Sequence, residues 1–440
     1  MEIFRAYDIR GRVPEDLTED IVYGIGRALV VYLECSEIYV GRDCRLSSPA
    51  LHSALIKGII DQGANVIDIG LCSTPMIYFA SKYGPAAMIT ASHLPKEFNG
   101  LKFCRKCADP IGLESGLGDI KRIYEKQEFN VPKNKGVLKH ENILQAYVSH
   151  CLSFANKIKP LTVVVDAGNG MGGLACSEIF KQLPCKIIPL YFEPDGTFPN
   201  HEANPIKSET LKDLQKTVKK HNADIGAAYD ADCDRILFVD EKRNIVSGDL
   251  ALGLLSMYFL KKNKGATVLY DLRSTHALPE FIKNIGGKAV QTRVGHAFIK
   301  PLMRQHQAIL GGELSGHFYY KNNQYAESGD IALLLCLSLL SEENKSLSQL
   351  LKPLNKYSHS GEISFTVKNQ KNVLNVLESS FEGYEINYLD GITLTFKDWW
   401  FNARPSQTEP VLRIVIEANT NKLMSEKLKK IKGIISKELM

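Results

Sequence analysis

Long uncharged apolar runs are missing from this 440-residue chain. The longest, 250–260 and 331–340, are too short to span a bilayer and read instead as buried helices. Charge of one sign is not in excess either. Lys and Arg number 54 against 49 Asp and Glu, a formal charge of +5 that is small for this length. No long basic run occurs, so a dedicated nucleic-acid surface is not expected. There is no disulfide framework: ten cysteines lie scattered, which suits a reducing compartment. Cys104-Arg-Lys-Cys107 is a lone CxxC with no second pair and no nearby histidine, so neither zinc nor redox chemistry is expected there. The first residues carry no apolar leader core, and a cytoplasmic location with no membrane partner is the expectation. At 44% apolar and 23% charged residues, the composition is that of an ordinary globular protein. The length exceeds what one core supports, so two to four domains are expected.

What the chain does have is four polar loops rich in reactive groups. Thr90-Ala-Ser92-His93 follows the apolar run 86–89, and Asn99-Gly-Leu-Lys102 comes next, bringing a hydroxyl, an imidazole and an ammonium together. Loops at the ends of buried strands face crevices in α/β enzymes and hold reacting groups rigidly. In Tyr229-Asp-Ala-Asp-Cys-Asp-Arg235, an extended backbone would send Asp230, Asp232 and Asp234 to one side. Three such anions call for a cation, and oxygen-only ligands favour Mg2+ over Zn2+. After the apolar run 308–310, Gly311-Gly-Glu313-Leu-Ser315-Gly-His317 offers a carboxylate, a hydroxyl and an imidazole, suited to sugar hydroxyls. Arg404-Pro-Ser406-Gln407-Thr408-Glu-Pro410 supplies a guanidinium fork, hydroxyls and backbone amides, suited to a phosphate.

A strand–helix–strand rhythm occurs three times, each ending at one of the first three loops. The strands are read at 37–40, 65–68 and 86–89; at 161–165, 186–190 and 225–229; and at 266–270, 288–290 and 308–310. Leu211, Leu214 and Val218 mark one face of an intervening helix with Ser208 as its cap. From about residue 359, alternation at Ile363, Phe365 and Val367 and at Ile392, Leu394 and Phe396 precedes a helix with Leu428, Ile431 and Ile435. The fold class read from this is α/β: three similar mixed α/β domains plus a smaller C-terminal α+β domain around a central cleft. The boundaries are set at 1–142, 143–246, 247–356 and 357–440.

In order and chemistry these loops resemble those of the α-D-phosphohexomutases, specifically the phosphomannomutase/phosphoglucomutase group. Phe4-Arg-Ala-Tyr7-Asp-Ile-Arg10-Gly11 resembles that group's amino-terminal signature, as does Gly41-Arg42-Asp43 with Ser47-Ser48. The likeness runs from residue 4 to about 418. It implies four domains around one cleft and reversible phosphoryl transfer between C1 and C6 of mannose or glucose phosphate. Ser92 would be the phosphoserine carrier and glucose 1,6-bisphosphate the activator and intermediate. Mg2+ would sit on Asp230, Asp232, Asp234 and a phospho-Ser92 oxygen, offsetting charge in the transfer. Arg404, Ser406, Gln407 and Thr408 would hold the non-reacting phosphate, and Glu313, Ser315 and His317 the sugar hydroxyls. Lys102 is the candidate to handle a hydroxyl proton, through a pKa lowered by neighbouring cations. Arg10, Arg235, His296 and Tyr7 would support the cleft by resemblance, with His93 either a partner of the serine or a loop hydrogen-bonding group. Phe198-Pro-Asn-His201-Glu-Ala-Asn-Pro205 also resembles a family loop, with no role that its residues imply.

Departures from the pattern are Leu94 in the serine loop, where Asn is usual, Ala231 and Cys233 in the metal loop, and Gln407 in the phosphate loop. Cys233 beside the metal predicts sensitivity to oxidation. Gly168-Asn-Gly170-Met-Gly-Gly173 fits GxGxxG with Glu193 downstream, the best case for a nicotinamide enzyme. That reading leaves the four loops unexplained, and a tight strand-to-helix turn is the simpler one. An EF-hand reading of 230–241 fails because Arg235 stands where the sharp turn needs glycine. The aspartate loop is also similar to that of haloacid-dehalogenase-type phosphatases, making a Mg-dependent sugar phosphatase the rival of another class. Within the family, phosphoglucosamine mutase is the alternative, although Gly-Glu-Leu-Ser-Gly-His and the opening motif favour glucose and mannose.

Overall fold

The structure is a computed structural model that describes residues 3–130, 132–406 and 411–437. The described residues form four sheets, and three of them share one plan. In the first, the parallel strands Asn65–Leu71, Glu37–Arg42 and Ala86–Ile89 lie side by side, and Phe98–Arg105 joins antiparallel to Ala86–Ile89. The second repeats this order with Lys186–Leu190, Thr162–Asp166 and Ile225–Tyr229, followed by antiparallel Ile236–Asp240. The third repeats it again with Lys288–Thr292, Thr267–Asp271 and Leu310–Gly312, followed by antiparallel Phe318–Tyr320. Each of the first three reactive loops is therefore the same topological object, the connection from a parallel strand into its antiparallel neighbour. The fourth sheet is antiparallel, running Ser358–His359, Val411–Ala418, Trp399–Pro405, Ile392–Thr395 and Glu385–Asn387, with Ile363–Thr366 also on Val411–Ala418. The architecture is four α/β domains, three similar and one smaller.

The parallel strands next to the antiparallel ones in the first two domains, Ala86–Ile89 and Ile225–Tyr229, are buried along their whole length, as strands covered on both faces are. The helices Gly248–Lys262 and Gly329–Glu343 are the two apolar runs of the sequence. The second buries thirteen of its fifteen residues, so it is a core helix shared by the second and third domains. Among the described residues, no helix is long and apolar enough to cross a membrane. Helix Lys212–His221 buries Leu214 and Val218, but Ser208 is not its cap. A single 3-10 turn, Ser208–Leu211, precedes the helix and supplies its entry instead.

The smaller domain docks on the third. The His276 ring stacks on Trp400 with centroids 4.8 Å apart, and the His276 N–H and Trp400 Nε1 both donate to Glu417 Oε1. Glu362 gathers Arg273, Arg404 and Arg413 at 2.6–3.1 Å, tying the two sheets through one carboxylate.

Candidate active site

Ser92 sits at the end of strand Ala86–Ile89 with φ 51, in the left-handed region that few non-glycine residues adopt. Its N–H donates to Thr90 Oγ1 at 2.9 Å, and its hydroxyl donates to Asp230 Oδ2 at 2.8 Å across the seam between the first two domains. His93 Nδ1 lies 3.2 Å from the same hydroxyl. Burial, and then the cations Arg235 and Arg10, push the His93 imidazole far below its usual 6.5, so the ring is neutral.

Asp230, Asp232 and Asp234 converge, with ligand oxygens within 4.8 Å of one another, and all three are buried. They do so differently from the extended backbone expected. Residues 231–234 form a turn between Ile225–Tyr229 and Ile236–Asp240, with Cys233 at φ 66, so chain reversal rather than strand alternation gathers the carboxylates. Asp232 also accepts from Thr74 Oγ1 at 2.6 Å. Burial, and then Asp232 and Asp234, push the Asp230 carboxyl far up. Burial acts the same way on Asp234, but Lys102 and His317 outweigh it and hold that carboxyl well below the usual range.

Lys102 reaches this cluster from strand Phe98–Arg105, with Nζ 2.7 Å from Asp232 and 2.5 Å from Asp234. Burial opposes its charge, yet the two carboxylates raise its pKa above the usual 10.5. The direction is opposite to the lowering expected from cationic neighbours, because its nearest neighbours are anions. Arg10 is held by Asp8 at 2.6 Å and donates to the Thr90 carbonyl at 3.1 Å, bracing the serine loop from the first strand.

The sugar-type loop meets the aspartate loop directly. Arg235 and His317 form an isolated β-bridge, and the Ile236 N–H donates to the Gly316 carbonyl at 3.0 Å. His317 Nε2 stands 3.2 Å from Asp234, and its Nδ1 3.7 Å from Glu313. Burial and Arg235 work against its charge, but Asp234 and Glu313 prevail and lift it to about 9, so it is cationic at neutral pH. Glu313 is ionised despite burial, since His317, Arg273 and the Tyr319 hydroxyl stabilise the anion. Ser315 Oγ faces both, 3.4 Å from Glu313 and 3.3 Å from His317. Tyr7 packs 5.7 Å from His296 between ring centroids, and its hydroxyl donates to the Val294 carbonyl at 3.0 Å. Gly295 between them has φ 118, and a Cβ there would meet the Tyr7 ring at 2.6 Å, so glycine is required. His296 is kept neutral by burial and nearby cations, and neither ring nitrogen has a protein partner.

Arg404 lies on strand Trp399–Pro405, buried and paired with Glu362 at 2.6 Å. Its charge acts on the Tyr7 hydroxyl against those of Glu313 and Asp390, which places it near that ring. The Ser406 N–H donates to the Val411 carbonyl at 2.8 Å. Gln407 and Thr408 lie outside the described residues.

Similarity to known proteins now bears on this geometry. Residues 1–131, 145–244 and 247–357 match alpha/beta/alpha domains I, II and III of phosphoglucomutase/phosphomannomutase, and 362–432 match its C-terminal domain. The phosphomannomutase of Methanocaldococcus jannaschii is 39% identical over 443 residues, covering 99% of this chain and 98% of that protein. A phosphomannomutase of Escherichia coli is 38% identical over 449 residues, with 98% of each covered. The crystal structure of a phosphoglucomutase/phosphomannomutase family protein from Burkholderia thailandensis superposes with a TM-score of 0.90 at 30% identity, covering 99% of this chain and 97% of that one. The chain belongs to the phosphoglucomutase/phosphomannomutase family.

Family membership leaves no role for the dinucleotide fingerprint, and the geometry agrees. A Cβ on Gly170 would lie 2.6 Å from the Ala231 backbone, so this glycine turn is filled by the aspartate loop, not open to a pyrophosphate. The surroundings of Cys233 do not favour the oxidation expected of it. The thiol is buried, and burial followed by Asp330 and the loop aspartates pushes its pKa far up, which disfavours the reactive thiolate. Several site residues escaped sequence reasoning. Arg273, with Asp271 at 2.5 Å, Glu313 at 3.5 Å and Glu362 at 3.1 Å, is one; its signal was an Asp-x-Arg at the end of a buried strand. Thr74 on Asp232 and the buried pair Lys300–Glu327 carried no local signal.

Proposed function

We propose that this phosphohexomutase carries a phosphoryl group on Ser92 and moves it between C1 and C6 of mannose or glucose phosphate. The observation that carries the reading is the Ser92 hydroxyl held 2.8 Å from one of three convergent buried carboxylates. The all-oxygen donor set, with Asp232 Oδ1 buried and otherwise unpartnered, fits a hard divalent cation. Bound there, Mg2+ supplies charge neutralisation for the transferring phosphoryl group.

The two oxygens of a hexose are too far apart for direct transfer in one pose. Phospho-Ser92 therefore breaks its O–P bond as the free sugar hydroxyl forms one, the hydroxyl proton passing by way of His93 to the departing Ser92 oxygen and leaving glucose or mannose 1,6-bisphosphate. The sugar turns over, and Ser92 takes back the other phosphate. In that step neutral His93, 3.2 Å from Ser92 Oγ, is placed to accept the Ser92 proton and return it to the departing sugar oxygen. Lys102, protonated between Asp232 and Asp234, is suited to stabilise developing negative charge and not to abstract a proton. Glu313, Ser315 and His317 hold sugar hydroxyls common to both poses, while Arg404, Ser406, Gln407 and Thr408 hold the idle phosphate. Tyr7, Arg10, Arg235 and His296 line and brace the cleft. Ten free cysteines support a reducing, cytoplasmic setting.

A 31P NMR time course with mannose 1-phosphate, Mg2+ and a trace of glucose 1,6-bisphosphate tests this. Growth of the 6-phosphate is the expected result, and a parallel run with glucose 1-phosphate sets the preference. Release of inorganic phosphate would instead mark a phosphatase, which the family relationship does not favour.

A further inference from the structure

In each repeated domain, the loop after the first parallel strand braces the reactive loop beside it. In the third domain Asp271 accepts from the Leu314 N–H at 2.9 Å, and Arg273 approaches Glu313. In the second, the Met171 N–H donates to the Ala231 carbonyl at 2.8 Å while Gly170 packs on the same residue. In the first domain this position holds Arg45. Its N–H donates to Asp43 Oδ1 at 3.0 Å, as the Arg273 N–H does to Asp271 Oδ1 at 2.8 Å. The Arg45 guanidinium, 1% exposed, turns wholly onto the serine loop. It donates to the carbonyls of Ser92 and Leu94 at 2.7 Å, Pro95 at 2.8 Å and Phe98 at 3.1 Å, while Nε pairs with Asp43 at 3.2 Å. No donor remains to face the cleft.

The segment around Phe198, which had no role from sequence, closes over this brace. A Cβ on Gly196 would strike the Cys44 carbonyl at 2.4 Å, and the Phe198 ring lies 5.2 Å from the guanidinium carbon. The same segment is tied to the turn that backs the aspartate loop. The Asp195 N–H donates to the Asn169 carbonyl at 2.8 Å, and Asn200 Nδ2 to Asn169 Oδ1 at 2.7 Å. Arg45 thus stands where the serine loop and the support of the aspartate loop meet.

We propose that Arg45, seated against Phe198, is a positioning residue that sets the carrier Ser92 relative to the aspartate loop. The inference rests on the phosphoserine reading above. Ser92 is held in a left-handed conformation, and four carbonyls of one loop converging on one buried cation make that conformation the stable one. A misplacement of about 1 Å at a reacting atom costs about 10²-fold in rate without weakening substrate binding.

The test is kinetics and hydrogen exchange on Arg45→Met, Arg45→Lys, Arg45→Ala and Phe198→Leu. Arg45→Met is expected to lower kcat for mannose 1-phosphate about 10²-fold while KM stays within about twofold. Arg45→Lys should recover part of the loss, since one ammonium reaches fewer carbonyls. Guanidinium ion, and not sodium ion, should restore part of the kcat of Arg45→Ala. Wild-type kcat in a folded Arg45 variant, or kcat and KM moving together, overturns the proposal. Should the Arg45 variants fail to fold, Phe198→Leu decides: a severalfold fall in kcat at constant KM supports the brace, and unchanged kcat overturns it. Hydrogen exchange needs no turnover. Faster exchange confined to 90–98 in Arg45→Met or Phe198→Leu is expected even if the wild-type protein proves inactive on hexose phosphates, a result that would sink the mutase reading alone. Unchanged exchange in 90–98 overturns the brace.

Discussion

Glu362→Gln should undock the smaller domain from the third in a pH-dependent way. Glu362 is the only anion paired with three arginines among the described ion pairs, Arg273, Arg404 and Arg413. Burial pushes its carboxyl up, but the three guanidiniums outweigh that and hold it at about 2, against a usual 4.5. A depressed carboxylate contributes stability that is present above the unfolded pKa and lost as pH falls towards the folded one. The shift corresponds to about 3 kcal/mol at pH 7.5 and about 2 kcal/mol at pH 3.5. Removing the charge while leaving the buried Arg273 and Arg404 and the half-buried Arg413 facing the neutral side chain is the costly way to break such a cluster, in the range of about 3–5 kcal/mol. Urea unfolding followed by the fluorescence of Trp399 and Trp400, both in the smaller domain, measures the difference. The variant should lose about 3 kcal/mol at pH 7.5, and the gap to wild type should narrow by about 1 kcal/mol at pH 3.5. Equal unfolding at pH 7.5, or a gap that widens in acid, would refute the reasoning. Arg404 loses its anchor in the same variant, so KM for hexose phosphate should rise.

Ser92→Ala should abolish turnover and prevent transfer of a phosphoryl group from glucose 1,6-bisphosphate to the protein, read by intact mass; a phosphorylated variant would place the carrier elsewhere. Gly170→Ala drives a Cβ into the Ala231 backbone at 2.6 Å, so the Mg2+ concentration for half activity should rise about tenfold or more. Lys300 and Glu327 form an ion pair at 2.7 Å with side chains 0% and 1% exposed. Lys300→Met alone should cost about 3–5 kcal/mol in thermal or urea unfolding, and Lys300→Met with Glu327→Gln should recover most of it.

Loops and strands were legible because both are local. Runs such as 86–89 and 225–229 are continuous and apolar, as buried parallel strands must be, and the polar residues that follow announce the reactive ends. The three repeats were visible as rhythm, but the shared strand order and the common hairpin origin of the reactive loops needed the pairing of strands. Where local reading failed, the backbone had done something other than continue an element. The aspartates gather through a turn, with Cys233 in the left-handed region, and Ser208 opens a 3-10 turn instead of capping a helix.

The sequence by itself determined which chemical groups this protein has and which strand ends present them, because hydrophobic periodicity and turn residues act over a few positions. The tertiary structure alone decided their partners and charge states. Lys102 is raised, not lowered, because Asp232 and Asp234, some 130 residues away, flank it. Arg45 grips the serine loop about 50 residues on, and Glu362 meets Arg273 from another domain. Electrostatic energies depend on distance and burial, and both are properties of the packed fold, not of the order of residues along the chain.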